Sequence, residues 1–363
     1  VRKLLVLAGT VLVAGCASRT AEVSVPVAAP AALPLASSLA TPQGSWAIAE
    51  MGGSASGEEN FWQLFVRPAG SASWSLATPP GVADNGGLVA AGGSASLVVG
   101  FRASQSLAFS PLATSTDTGK NWAPGVLGAG LADTPDALSV GPSGQELALL
   151  TDGTIDTSAS GASWTRLTSV KALAASAAGR SCGLTAVSAM SFWPNGSKVV
   201  AGGCERRGVS GVFTDAGGTW QADGPTLPGA GQEQVRVLRL SGSSALLAAG
   251  GDVFAAWYGA GRWTVSAPLA GAGLPRASGF GADGTAWVLL AGGHAETISG
   301  PGGAWQELPA VPAATAVLVP GDSYDALTVT GSSGSTATVW RLTAGSWTKA
   351  QVINVPIAAG SSS

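Results

Sequence analysis

The sequence predicts an all-β fold, a β-propeller of about seven four-stranded blades, and three observations carry that reading. Trp74, Trp122, Trp164, Trp220, Trp263, Trp305 and Trp347 recur at intervals of 48, 42, 56, 43, 42 and 42 residues, each followed by a short strand-like run. A period in the forties is that of propeller blades. Short runs of Val, Ala, Leu and Thr alternate with turns drawn from 53 glycines, as expected of many short strands joined tightly. Gly or Pro interrupts nearly every stretch that could be helical, and helical apolar periodicity is weak.

Taken in chain order, Arg2 and Lys3 precede an apolar run from Leu4 to Val13, the form of a signal peptide. Val1 reads as an initiator from an alternative start codon. Val13-Ala14-Gly15-Cys16 resembles the lipobox of bacterial lipoproteins. That resemblance implies cleavage before Cys16, diacylglycerol on its thiol and acylation of the new amine. Residues 1–15 are then a lipoprotein signal peptide. Residues 16–34 are the lipidated Cys and an Ala/Pro-rich tether. The propeller follows over 35–357, and 358–363 is a disordered tail. The expected location is extracytoplasmic, held on the cell membrane by the lipid.

Within the repeats, four strands can be marked. The sixth reads Ala277–Phe280, Ala286–Leu290, Ala295–Ser299 and a last strand opened by Trp305. The third reads Ala137–Val140, Glu146–Leu150, Thr154–Thr157 and Ser163–Thr168; the fifth reads Val235–Leu240, Ala245–Ala249, Val253–Trp257 and Arg262–Ala267. Expected blades span 35–78, 79–127, 128–168, 169–223, 224–267, 268–309 and 310–357. A single such sheet cannot bury both faces; a ring of them can. Val352–Ile357 is expected beside the first blade, closing the ring.

Charged residues are only 11% and the net charge is −3, which excludes a polybasic nucleic-acid surface. Cys182 and Cys204 remain beside Cys16. An even pair in an exported chain points to a disulfide. One His, His294, lies far from them in sequence, so no metal site is expected, and no cofactor.

Two repeats carry a sharper signature. Ser115 to Trp122 reads STDTGKNW and Phe213 to Trp220 reads FTDAGGTW. Both resemble the Asp box of bacterial neuraminidase repeats, S/T-x-D-x-G-x-T-W, with Asn121 and Phe213 as departures. Thr157–Trp164 and Ile298–Trp305 keep the Gly and Trp and lose the Asp. The resemblance implies a structural role on the turn between third and fourth strands for Ser115, Asp117, Gly119 and Trp122, and for Asp215, Gly217, Thr219 and Trp220. Asp accepts from nearby backbone N–H groups, Gly supplies positive φ, and Trp covers the hairpin.

In propellers, ligands meet the loops joining second to third strands and blade to blade. Those loops hold Arg102, Asp152, Arg180, Glu205, Arg206, Arg207, Asp252, Arg276 and His294, the candidate ligand face. A sialidase-like glycoside hydrolase is the enzyme the resemblance allows. It needs an Arg cluster and a Tyr–Glu nucleophile pair. Only Tyr258 and Tyr324 are present, both expected on the opposite rim. No catalytic residue is assigned. The expected function is a non-catalytic, lipid-anchored module binding an envelope protein or glycan, with the membrane as its other partner.

Overall fold

The computed structural model describes residues 38–52, 60–79, 88–93, 96–101, 112–123, 135–313, 315–321, 323–330 and 335–355. The expected signal peptide, Cys16, the tether, Arg102 and the tail lie outside them. The described chain is all-β apart from two short helices: seven blades of antiparallel strands in a propeller.

Blade one holds β1 (Ser38–Thr41), β2 (Gly44–Gly52), β3 (Asn60–Pro68) and β4 (Ser75–Leu76). Blade two holds β5 (Leu88–Gly93), β6 (Ser96–Phe101) and β7 (Leu112–Ser115), and among the described residues its fourth position is marked by a bridge between Thr114 and Ala123. Blade three holds β8 (Pro135–Val140), β9 (Glu146–Leu150), β10 (Thr154–Ser158) and β11 (Trp164–Ser169). Then come α1 (Val170–Ala175) and α2 (Ala177–Cys182). Blade four holds β12 (Leu184–Phe192), β13 (Lys198–Cys204), β14 (Gly211–Asp215) and β15 (Trp220–Ala222). Blade five holds β16 (Arg236–Ser241), β17 (Ser244–Ala249), β18 (Asp252–Gly259) and β19 (Arg262–Val265). Blade six holds β20 (Ala277–Phe280), β21 (Ala286–Leu289), β22 (Ala295–Ile298) and β23 (Gln306–Leu308). Blade seven holds β24 (Val317–Val319), β25 (Asp325–Thr330), β26 (Thr336–Thr343) and β27 (Ser346–Asn354).

Each sheet runs in sequence order, so every connection within a blade is a hairpin. The first strands approach their neighbours around a central axis. Second strands lie between adjacent blades and are buried on both faces: every residue of β9, β17 and β21 is buried. This is why they read as unbroken apolar runs rather than alternating ones. The last strands face outward; β27 alternates between exposed and half-buried positions.

Seven hydrophobic clusters fill the seven seams between blades. The Trp markers work across these seams. Trp263, Trp305 and Trp347 each donate the indole N–H to a backbone carbonyl at the end of the preceding blade: Asp223 at 2.6 Å, Ala267 at 3.1 Å and Pro309 at 3.0 Å. The repeat marker is therefore an inter-blade stitch as well as a hairpin cover.

The last strand does lie beside the first blade, by packing and not by strand pairing: Ile353 and Val355 share a cluster with Ala47, Met51 and Trp74. β27 pairs with β26 inside blade seven, from Thr336↔Asn354 to Thr343↔Ser346, and not with blade one. The seam to blade one is held by side chains. Ser38 Oγ donates to the Leu318 carbonyl at 2.6 Å. The Gln351 amide bonds both backbone groups of Trp74, at 2.8 Å each. Asp325, fully buried, accepts from Trp74 Nε1, pairs with Arg67 at 3.2 Å and takes Arg341 at 2.8 and 3.2 Å. Blade one already has four strands of its own, β1 to β4, which leaves no open position in its sheet for the C-terminal strand.

Candidate functional site

Cys182 and Cys204 form the expected disulfide, with Cα atoms 5.4 Å apart. Cys182 ends α2 and Cys204 ends β13, where Leu184 and Cys204 are register partners. The loop after Cys204 is pinned around the bond. Glu205 N donates to the Gly183 carbonyl at 2.8 Å and Arg206 N to that of Cys182 at 3.0 Å.

The remaining described members of the candidate face are tied to nearby groups. Arg180 donates to the Ala175 carbonyl, Arg206 to Ser181 at 3.3 Å, Arg207 to Gln232 at 2.9 Å and Arg276 to Ala316 at 2.5 Å. Asp152 caps its own turn, accepting from Thr154 N and Oγ1 at 2.7 and 2.9 Å. Asp252 accepts from Gly271 N at 2.9 Å. His294 Nδ1 lies 2.9 Å from Glu307 Oε1 in an exposed pair. Arg180 and the Glu205–Arg207 loop gather at the disulfide of blade four, whereas Arg276 and His294 belong to blade six.

The two Asp-bearing turns differ. At Ser115 the Ser hydroxyl donates to Asp117 Oδ1 at 2.8 Å and accepts from Gly119 N at 2.8 Å. Asp117 accepts from Asn121 N at 2.9 Å and Asn121 Nδ2 at 2.6 Å. These bonds, the Asn121 backbone first, hold the Asp117 carboxyl down to about 2. Gly119 sits at φ 78°, where a Cβ is strained. At Asp215 strand pairing continues to Asp215↔Trp220, and the carboxylate accepts only from Gly218 N at 2.7 Å. The extra pairing closes a tighter hairpin, in which Asp215 cannot reach across as Asp117 does. Blade three manages without Asp: Ser158 Oγ accepts from Ser160 N and Gly161 N at 3.2 and 2.8 Å.

The open recesses lie on the other rim, among the turns that join first to second and third to fourth strands. One of about 490 Å³ lies at the blade one–seven seam beside Arg67, Arg341 and Asp283. A second, of about 280 Å³, opens into the central channel. The third is a groove of about 450 Å³ between blades four and five, lined by Trp193, Asn195, Thr214, Gln221, Asp223 and Tyr258. The Trp193 and Tyr258 rings that line it pack with Trp263 behind them: Trp193 lies 4.9 Å from Tyr258 and 5.7 Å from Trp263, and Tyr258 lies 5.3 Å from Trp263. Trp193 is anchored by its N–H on Thr214 Oγ1 at 2.9 Å, and Trp263 by its bond to Asp223 O. Burial raises the Asp223 carboxyl above its ordinary value. Tyr258 and Tyr324 do fall on this rim, Tyr258 near the end of β18 and Tyr324 before β25.

Sequence reading passed over Trp193, Asp223 and Arg239. Trp193 follows an apolar strand and reads as core. Arg239 was legible: it is the charged residue inside the apolar run Val237-Leu238-Arg239-Leu240. Among the described residues no group of three or more His, Cys, Asp and Glu could hold a metal ion, and no helix is long and apolar enough to cross a membrane.

Neither family models nor curated proteins match this sequence. Solved structures do, at low identity. YCF48 bound to a D1 peptide is 12% identical over 91% of this chain and 96% of that one, with a TM-score of 0.49. YCF48 from Cyanidioschyzon merolae is 15% identical over 86% and 94%, with a TM-score of 0.48. Aleuria aurantia lectin in complex with α-methyl-L-fucoside is 10% identical over 88% and 97%, with a TM-score of 0.38. These likenesses carry no argument about a ligand, and the propeller assignment rests on the seven sheets themselves.

Proposed function

We propose that this chain is a lipid-anchored, extracytoplasmic, non-catalytic binding module, a divergent Asp-box propeller whose ligand is a glycan. The observation that carries the reading is the groove between blades four and five. A sugar presents C–H faces to aromatic rings and hydroxyls to polar side chains, so its site combines both. Here the half-buried Tyr258 ring, packed on Trp193, lines the groove together with the Asp223, Gln221 and Thr214 side chains. No described residue bonds the Tyr258 hydroxyl or the Asp223 carboxylate. The Cys16 lipid would hold this groove at the envelope surface on a tether of about 20 residues.

The test is glycan-array binding by the full chain in detergent, followed by titration calorimetry. Saturable binding to a glycan is expected, weakened about tenfold or more in Tyr258→Ala and Asp223→Asn. Binding of protein but no glycan, or binding indifferent to both substitutions, would overturn the assignment. Robust glycan turnover abolished by a carboxylate substitution would overturn the non-catalytic reading. For the anchor, Cys16→Ser should lose fatty-acid labelling and leave the membrane fraction; normal labelling in that variant refutes it.

A further inference from the structure

The seven first strands pair on one edge only, leaving the other edge toward the axis. The first hairpins end on the pairs Thr41↔Gly44, Gly93↔Ser96, Val140↔Glu146, Phe192↔Lys198, Ser241↔Ser244, Phe280↔Ala286 and Val319↔Asp325, closed by loops of two or five residues. Two residues earlier in each strand stand Leu39, Ala91, Leu138, Met190, Arg239, Ser278 and Val317. Six blades place an apolar or small residue in this tier. Blade five places a guanidinium there.

Arg239 lines the recess of about 280 Å³ that opens into the channel. No described residue accepts a hydrogen bond from it or pairs with its charge. The other lining residues, Met190, Ser139, Ser241 and Gly281 among them, are all uncharged. Burial lowers its pKa to about 10, so it remains a cation at neutral pH. Arg239 is half-buried at this recess, and a cation drawn partly out of water without a partner is unfavourable, while nothing in the fold needs one here. A second unsatisfied group lies in the next blade, behind the wall of this recess: Ser278 Oγ is buried with no hydrogen-bond partner. Arg239 pairs in register with Leu246, and Ser278 with Val288; Leu246 and Val288 belong to one cluster, the seam of blades five and six. The unpaired cation and the unpaired hydroxyl therefore belong to one seam.

We propose that the central channel is a binding site for a small organic monocarboxylate, whose carboxylate is the counter-ion of Arg239. The planar guanidinium matches a carboxylate in two parallel hydrogen bonds. One positive charge in an otherwise uncharged wall suits a monoanion better than a phosphate dianion. Leu39, Leu138 and Met190 suit an apolar or hydroxylated body of a few carbons.

The full chain in detergent is titrated with acetate, lactate and butyrate, with inorganic phosphate and chloride as controls, read by thermal shift and calorimetry. A monocarboxylate should bind saturably and raise the melting temperature, while matched chloride does not. Arg239→Met keeps the volume and an apolar tier, so it should fold, and should weaken binding about tenfold or more. Arg239→Lys, which lacks the planar fork, should fall between. Absence of saturable binding to the wild type overturns the proposal, as does equal binding by Arg239→Met or tighter binding of phosphate than of any carboxylate. The glycan assays on Tyr258→Ala report on a groove that Arg239 does not line, so either reading can fail alone.

Discussion

Glu146 is 5% exposed between blades two and three, and its Oε2 has no hydrogen-bond partner. Its carboxylate lies under Gly161: a Cβ there would meet both oxygens at 3.1 Å and the Thr114 methyl at 3.0 Å. Desolvation raises its pKa from 4.5 to about 7. Between those values the folded chain holds a proton that the unfolded chain has released. This carboxyl therefore makes stability fall as pH rises from about 4.5 through about 7, with the full loss above that. Thermal melts from pH 5 to 8.5 should show a declining midpoint. Glu146→Gln should flatten the decline and melt higher than the wild type at pH 8. An unchanged slope in the variant would show that Glu146 is not its source. In the sequence, Glu146 is one more strand-opening residue, because the desolvation comes from blade two, outside its own repeat. The Asp boxes show the same limit. Asp117 and Asp215 look equivalent in the sequence, yet only Asp117 reaches across its turn, because pairing in blade four continues to Asp215 itself, whereas in blade two it stops at Thr114↔Ala123.

At the scale of elements the strands were legible and the helices were not. β9 and β20 begin and end where the short apolar runs and the turn residues around them put them. The long Trp interval before blade four hides α1 and α2, which are six residues each. Helices this short have no apolar period to read. Their signals are caps: Ser169 accepts from Ala172 N, Ser176 from Gly179 N, and Gly183 ends α2 at φ 68°. Such helices are marginal alone, and the disulfide ties α2 to β13 across 22 residues of chain. Closing a loop of that length removes about 3 kcal/mol of unfolded-state freedom by the chain-entropy argument. The Cys182→Ala/Cys204→Ala double variant should lose about that much in urea unfolding. Hydrogen exchange should speed up most in α1, α2 and the Glu205–Arg207 loop. A loss below about 0.5 kcal/mol would mean that the buried Leu173 and Ala178 contacts already fix the insertion.

A propeller is a linear chain bent into a ring, so one seam lacks a covalent connection. Here it is the seam between blades one and seven. The number of blades followed from Trp spacing alone. The way the ring shuts did not, because Arg67 and Trp74 are some 250 residues from Asp325, and the Trp74 repeat marker does not reveal which residue its indole N–H meets. The closure concentrates on that carboxylate, which is 0% exposed and serves two guanidiniums and an indole N–H. Removing it leaves Arg67 and Arg341 facing each other across a seam with no counter-charge. Breaking a buried pair in this way costs about 3–5 kcal/mol. Asp325→Ala should lose about that amount in urea unfolding, whereas Asp215→Ala, on a half-exposed turn, should stay within about 0.5 kcal/mol of wild type. The damage should also have a place. Exchange protection should fall first in β1–β4 and β24–β27, since those blades can part without breaking the chain, while β12–β19 should keep theirs. Uniform loss of protection around the ring would show instead that the seven seams unfold as one unit and that Asp325 acts as an ordinary buried side chain. Protection lost only at the closing seam would identify the Asp325 cluster as the clasp of the propeller.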